Sequence, residues 1–146
     1  MRLPLLDINL LVALAWPTHI HHEAAHRWFA AERRRGWATC PLSQSGFVRV
    51  LSTPRFSPDA LTPAEAFDVL SKVVHMEGHV FWPDDTALAG SRFLSPAKLL
   101  GPRQVTDAHL LAITLRHGGR LATFDRGVTS LIPVGFPAET VQLLAA

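Results

Sequence analysis

Residues 3–16 read Leu-Pro-Leu-Leu-Asp-Ile-Asn-Leu-Leu-Val-Ala-Leu-Ala-Trp, and this stretch decides the fold. The apolar run from Leu3 to Leu6 predicts a short buried strand. Asn9 can cap a helix over Leu10 to Trp16, which Pro17 ends. A buried strand that passes directly into a helix is typical of a sheet covered by helices.

The same alternation of strand and helix continues along the rest of the chain. Further predicted strands are Trp37–Cys40, His79–Trp82 and Leu121–Phe124, with a fifth at Leu131–Val134 or Val141–Leu144. Further predicted helices are His21–Arg35, Leu42–Leu51, one that begins at the Thr62 capping box with Phe67 and Leu70 inward, one after Asp84 or Asp85, and one from Asp107 to Gly118 that Thr106 caps. This order predicts a single α/β domain over residues 1–146, with a mainly parallel sheet of four to five strands flanked by helices.

The composition is that of a globular protein, because 48% of the residues are hydrophobic, too many for a disordered chain. The single cysteine excludes an internal disulfide, which fits a reducing cytoplasm. No apolar run approaches the roughly 20 residues that a membrane span needs. The leucine-rich start is interrupted by Asp7 and lacks the cleavage site of a signal peptide. We therefore expect a cytoplasmic protein with no membrane association.

Three aspartates stand where short apolar runs stop. Asp7 follows the first predicted strand, Asp125 follows Leu121–Phe124, and Asp107 begins the helix between them. Parallel strands place their C-terminal ends at one edge of a sheet, where ligands bind. Carboxylates that converge there repel each other unless a hard cation lies among them. Each acid alone has a simpler explanation as a cap or turn residue, but together they predict a metal site suited to phosphate chemistry.

Three segments around these acids carry a family resemblance. They are Leu-Leu-Asp-Ile-Asn-Leu-Leu-Val-Ala-Leu, Val-Thr-Asp-Ala-His-Leu-Leu-Ala-Ile and Leu-Ala-Thr-Phe-Asp-Arg-Gly. In order and spacing they resemble the acidic blocks of PIN-domain ribonucleases, and most closely those of VapC-type toxins. The resemblance implies a three-layer PIN-like sandwich and a Mg²⁺- or Mn²⁺-dependent endoribonuclease that cleaves structured RNA of the tRNA or rRNA type. It also implies a VapB-type antitoxin as partner and a homodimer.

The resemblance assigns roles to individual positions. The acids Asp7, Asp107 and Asp125 match the metal-binding and catalytic residues of the family, which hydrolyse RNA with metal-activated water. Supporting polar positions are matched by Asn9, Gln44, Thr106 and Thr123. Two arginines near the proposed edge, Arg49 and Arg126, are candidates for contact with RNA phosphates.

Gln44 departs from the family pattern, which has a glutamate early in the helix after the second strand. Glutamine still offers a carbonyl oxygen or orients a water, but it brings no negative charge. The missing charge should weaken metal affinity. A PIN-fold binding module with weakened catalysis is therefore an alternative function.

A second motif indicates a different metal. His22-Glu23-Ala-Ala-His26 matches the His-Glu-x-x-His pattern of zinc hydrolases and lies on a predicted helix. Two histidines four residues apart share a helix face, but a catalytic zinc needs a third protein ligand. No downstream histidine or glutamate has a recognisable spacing. A zinc hydrolase is therefore the less favoured alternative.

Overall fold

The computed structural model describes residues 2–145, and over this range the chain forms a five-stranded sheet flanked by five α-helices. The strands are β1 (Pro4–Leu6), β2 (Trp37–Thr39), β3 (His79–Phe81), β4 (Arg120–Thr123) and β5 (Val141–Leu143). The helices are α1 (Ile8–Ala15), α2 (His22–Glu32), α3 (Pro41–Leu51), α4 (Pro63–Val74) and α5 (Gln104–Arg116). Within the same range, none of the helices has the length and apolar character needed to cross a membrane.

The sheet is parallel throughout and has the strand order β3-β2-β1-β4-β5. In the central strand β1, Leu5 is in register with Ala38 of β2 on one side and with Leu121 of β4 on the other. Strands β2 and β3 are added on one side of β1, and β4 and β5 are then added on its other side. A crevice forms outside the carboxyl ends of the strands where the direction of building reverses. The fold therefore places its natural binding crevice between the ends of β1 and β4.

Neighbouring residues of β1, β2 and β4 enter different cores, because successive side chains point to opposite faces of a sheet. Leu6 and Trp37 pack in a core that includes Phe47 of α3. Leu5 packs in a second core with Ile113 of α5. Two buried cores on the two faces of one sheet confirm the predicted three-layer α/β sandwich.

The segment after β3 differs from the prediction. The helix expected after Asp84 or Asp85 is wrong, since this part of the described chain is a loop up to a single 3₁₀ turn at Pro96–Lys98. The carboxylate of Asp84 lies 2.7 Å from Nε2 of His109, and the carboxylate of Asp85 accepts a hydrogen bond from Arg116 at 3.4 Å. Both acids therefore tie the loop to α5 instead of capping a helix of their own.

Helix α4 begins at its predicted capping box, in which Thr62 and Glu65 bond each other's backbone N–H groups. Its inward face agrees with the prediction at Leu70 and differs from it at Phe67. Ala66 and Leu70 are buried, whereas Phe67 is 60% exposed, so the prediction that Phe67 faces the core is wrong. The fifth strand is formed by Val141–Leu143 and not by residues 131–134.

Two predicted helix caps are wrong for the same reason, namely that each helix begins earlier than expected. Asp7 caps α1, and Asn9 lies inside its first turn. Helix α5 begins at Gln104, so Thr106 is a first-turn residue and not its cap. The earlier starts place Asn9 and Asp107 on helices whose first turns face the carboxyl edge of the sheet.

Gly119 lies where β4 enters the sheet, and its lack of a side chain keeps β4 close to β1. A Cβ atom there would lie 2.6 Å from the carbonyl oxygen of Leu3 and 2.4 Å from the ring of Trp82. The same Leu3 oxygen accepts a hydrogen bond from Arg120. We expect Gly119→Ala to lower the free energy of unfolding by about 2 kcal/mol, as overpacking does in other cores. Urea denaturation measures this change.

Gly101→Ala is the matched control, because a Cβ atom at Gly101 would meet nothing within 4 Å. Its urea midpoint should stay at the wild-type value or rise slightly. Equal midpoints for the two variants would contradict a close approach between β1 and β4.

Candidate active site

The ends of β1 and β4 are joined by side-chain hydrogen bonds around Thr123, which is fully buried. The hydroxyl of Thr123 donates to Oδ2 of Asp7 at 2.7 Å. It accepts from Nδ2 of Asn9 at 3.1 Å and from the backbone N–H of Asp125 at 3.0 Å. Asn9 in turn accepts from the backbone N–H of Phe124 at 3.3 Å. One hydroxyl thus fixes the positions of two acids and one amide that the sequence analysis singled out.

Asp7 is the most deeply buried of the three acids, with 4% of its surface exposed. Its Oδ1 accepts from the backbone N–H of Ile8 at 2.7 Å, and its Oδ2 accepts from Asn9 at 3.4 Å as well as from Thr123. Burial raises the pKa of Asp7, because the charged form loses its hydration. The hydrogen bonds from Thr123 and Ile8 oppose this rise, and the negative charge of Asp125 adds to it.

Asp107 and Asp125 complete the acidic cluster. Asp107 lies in the first turn of α5, where burial raises its pKa to about 6, with further contributions from the charges of Asp7 and Asp125. Asp125 is exposed, and its Oδ1 accepts from the backbone N–H of Gly127 at 2.8 Å. The charges of Asp7 and Asp125 therefore lie near enough to Asp107 to disfavour its ionised form.

The chemistry of this donor set fits a hard divalent cation. Carboxylate oxygens are the ligands that Mg²⁺ and Mn²⁺ prefer, and a cation would remove the repulsion that raises the pKa of Asp107. Across residues 2–145, no three His, Cys, Asp or Glu side chains are already arranged to hold one metal ion. Asp7 and Asp125 instead direct one oxygen each to a backbone N–H. Shared coordination therefore requires the acids to come closer together, and of Asp7 and Asp125 the exposed Asp125 is the one whose carboxylate Thr123 does not hold.

The other predicted site residues fall into two groups, one next to the acids in the chain and one in a separate groove. Thr106 directly precedes Asp107 on α5, and Arg126 is exposed directly after Asp125. Gln44 and Arg49 line another groove, of about 530 Å³, between α3 and α4.

Gln44 is held by β2. Its Nε2 donates to the hydroxyl oxygen of the buried Thr39 at 3.0 Å, and that hydroxyl is 2.7 Å from Nε2 of His79 on β3. This hydrogen-bond chain accounts for the side-chain position of Gln44 without any contact to Asp7 or Asp107.

The His-Glu-x-x-His motif has a structural role. His22 donates from Nδ1 to the carbonyl oxygen of Ala13 at 2.8 Å, and His26 donates from Nε2 to that of Leu14 at 3.0 Å. These carbonyls belong to the last turn of α1, where helix oxygens lack partners within the helix. Within the described residues, no third ligand completes a metal site with this pair. The geometry therefore gives no support to a zinc hydrolase.

A groove of about 610 Å³ lies beside the acidic cluster and was not predicted from the sequence. Its lining joins Asp7 and Asp107 to aromatic and small polar side chains, and includes Asn9, Val12, Trp16, Thr18, His19, Val50, Phe56, Ser57 and Pro58. Burial lowers the pKa of His19, and the neighbouring His21 and His22 add to this effect. Phe56 comes from an irregular loop, where no periodic pattern could reveal its role.

Comparison with known proteins gives matches over nearly the full chain. The model of the PIN domain matches residues 5–131. The chain is 48% identical over 140 residues to ribonuclease VapC38 of Mycobacterium tuberculosis, with 96% of each protein covered. It is 42% identical over 131 residues to ribonuclease VapC39 of the same organism, covering 90% of this chain and 94% of that protein. It is also 41% identical over 141 residues to ribonuclease VapC44 of that organism, covering 97% and 96%.

The raised pKa of Asp107 predicts a pH-dependent loss of stability in metal-free buffer. Between its ordinary value of 3.8 and about 6, folded Asp107 keeps a proton that the unfolded chain has lost. Stability therefore falls as pH rises through this window, and the penalty persists above it. We expect Asp107→Asn to raise the thermal midpoint at pH 7.5 in EDTA and to leave it near the wild-type value at pH 3.5.

Asp68→Asn, on the exposed side of α4, is the control for general charge effects. Differential scanning calorimetry of both variants across pH 3.5–7.5 distinguishes repulsion at Asp107 from a general effect of removing one negative charge. A gain that is equal in both variants, or that does not depend on pH, would contradict charge repulsion at Asp107.

Proposed function

The chain belongs to the PIN-domain family, and on that premise we propose that it is a metal-dependent endoribonuclease and the toxin of a toxin–antitoxin pair. The observation that carries the proposal is the convergence of the three acids at the carboxyl edge of the sheet: Asp7 and Asp107 line one groove, and the Thr123 hydroxyl joins Asp7 to the backbone of Asp125. All three acids lie inside the matched region, residues 5–131. The relatives named ribonucleases support the assignment of RNA as substrate.

The proposed metal ligands are the carboxylates of Asp7, Asp107 and Asp125, with Mg²⁺ or Mn²⁺ as the cation. When bound, the ion would neutralise phosphate charge and lower the pKa of a water nucleophile. Thr123 orients Asp7 through a 2.7 Å hydrogen bond. Asp125 is exposed and has room to turn from the Gly127 amide toward its partners. Asn9 and Thr123 act as positioning residues, because both donate hydrogen bonds to Asp7 and Asn9 also donates to Thr123.

The proposed substrate is structured RNA of the tRNA or rRNA type, cut at an unpaired segment, since proteins read RNA mainly where bases are unpaired. Arg126 lies directly beside the acids and is the better of the two candidate phosphate contacts. Arg49 lies in the separate groove with Gln44, so its contact would require the RNA to extend across α3.

The proposed setting is the cytoplasm, with a VapB-type antitoxin as inhibitor and a second copy of the chain as dimer partner. Both partners follow from the family to which the chain belongs. The only cysteine, Cys40, is buried, and burial raises the pKa of its thiol. A protonated, buried thiol forms no disulfide readily, which fits a reducing compartment.

A catalytically weakened binding module is the second candidate, and Gln44 is the observation that favours it. The side chain brings no charge and is engaged with Thr39. In this alternative the chain keeps the fold and binds RNA or the antitoxin without rapid cleavage.

Asp7→Asn tests the first candidate. RNA is incubated with the purified protein in Mg²⁺, in Mn²⁺ and in EDTA, and cleavage is followed on denaturing gels. We expect cleavage by the wild type with either ion, none in EDTA, and a loss of at least about 100-fold in rate for Asp7→Asn, because even the outer-shell partners of metal ligands cost up to about 100-fold when they are lost. Asp68→Asn should cleave at the wild-type rate. Wild-type binding without cleavage would instead support the second candidate.

Gln44→Glu tests how strongly the missing charge matters. Position 44 lies early in α3, which follows β2 at the same sheet edge as Asp7. An added negative charge at this edge that attracts the ion by about 1 kcal/mol in water should tighten Mn²⁺ binding roughly fivefold, as measured by isothermal titration calorimetry. Ser45→Glu, at an exposed neighbouring position, is the matched control and should change the affinity less. Unchanged affinity in Gln44→Glu would show that residue 44 serves only the contact to Thr39.

A further inference from the structure

The groove beside the acidic cluster has two walls of different origin. Val12 comes from α1 and Trp16 directly follows that helix, while Val50 comes from α3 and Phe56 from the loop that connects α3 to α4. Its volume of about 610 Å³ is within the range of roughly 300–1,000 Å³ that small-molecule sites occupy. Because Asp7 also lines it, a group in this groove lies directly beside the proposed reaction centre.

The loop wall is fixed by backbone hydrogen bonds. The N–H of Leu61 donates to the carbonyl of Leu51 at 2.9 Å and closes the loop at its base. The N–H of Phe56 donates to the carbonyl of Thr53 at 3.0 Å. Phe56 is nevertheless 52% exposed. A large aromatic ring is thus held at the groove by its backbone while half of its surface remains available for contact.

Arg55 brings a positive charge to this ring. Its guanidinium carbon lies 5.3 Å from the centroid of Phe56, within the range of a cation–π contact. The rest of the groove carries negative charge from Asp7 and Asp107. A ligand that complements both features has a neutral, flat group near the acids and an anionic group near Arg55.

We propose that this groove binds an unpaired RNA nucleotide next to the scissile phosphate, with its base against Phe56 and a flanking phosphate on Arg55. The inference rests on the proposed ribonuclease function and names how its substrate is held. A nucleobase is flat and uncharged, and stacking on an aromatic ring tolerates any base. Double-stranded RNA presents no free base face, so the groove selects loops and single strands.

The test uses an RNA oligonucleotide that the wild type cleaves in Mg²⁺ or Mn²⁺, and a series in which one nucleotide at a time around the cleavage site is abasic. In the wild type, one abasic position should lower kcat/KM by about tenfold, the size of one lost base–aromatic contact. Phe56→Ala should lower kcat/KM on the intact RNA by a similar factor and should be insensitive to that abasic position. Phe56→Trp should restore both the rate and the sensitivity.

Phe67→Ala is the matched control, because Phe67 is exposed to a similar degree, 60%, but lines the groove between α3 and α4. It should retain the wild-type kcat/KM and the wild-type abasic response. Thermal melting of each variant checks that the fold is kept.

The outcomes separate this inference from the function on which it rests. If the wild type cleaves no RNA, the proposed function fails, and the inference fails with it. If the wild type cleaves RNA but Phe56→Ala behaves like Phe67→Ala, only the groove assignment is wrong. If Phe56→Ala weakens inhibition by the antitoxin while RNA kinetics stay unchanged, the groove holds a protein segment, and the nucleotide proposal is overturned.

Discussion

The hydrogen bond from Thr123 to the buried carboxylate of Asp7 is the contact on which the candidate site depends. It connects the ends of the two strands between which the sheet reverses its direction of building. The same hydroxyl oxygen accepts hydrogen bonds from the side-chain amide of Asn9 and from the backbone N–H of Asp125. Without it, a nearly fully buried carboxylate would lose a partner that opposes the rise of its pKa. The Thr123 side chain therefore both joins the ends of β1 and β4 and orients the candidate site residues.

The acids at the sheet edge repel one another, whereas the sheet that carries them is held by two hydrophobic cores. Asp107 is forced toward its neutral form by burial and by two neighbouring carboxylates, so the metal-free protein is strained at this point. The cores on both faces of the sheet compensate, since β1 and β4 are buried on both sides. Such an arrangement suits a site that gains stability when a cation binds, because ligand binding to the folded state stabilises it.

Several side chains that could bind a metal or act in catalysis instead hold parts of the fold together. His22 and His26 satisfy carbonyl oxygens at the end of α1. Asp84 and Asp85 attach a long loop to α5. In each case the partner comes from an element distant in sequence or from the end of another helix. A short motif is therefore weak evidence of catalysis until the partners of its side chains are known.

Sequence alone determined the α/β class and the five strand positions with one ambiguity, because apolar runs and helix periodicity are local properties. It also predicted that three acids share a metal site; this stays a prediction, while the structure places Asp7 and Asp107 on one groove. It placed the starts of α1 and α5 too late, although the cap of α1 is a local contact between Asp7 and the N–H of Ile8. It also missed the exposure of Phe67 and placed a helix after Asp84, because side-chain partners such as His109 lie elsewhere in the chain. Only the tertiary structure placed Gln44 with Thr39 and Phe56 beside Asp7. A local pattern identifies which stretches form strands and helices, whereas the exact face that a helix buries and the contacts between loops and helix ends depend on three-dimensional packing.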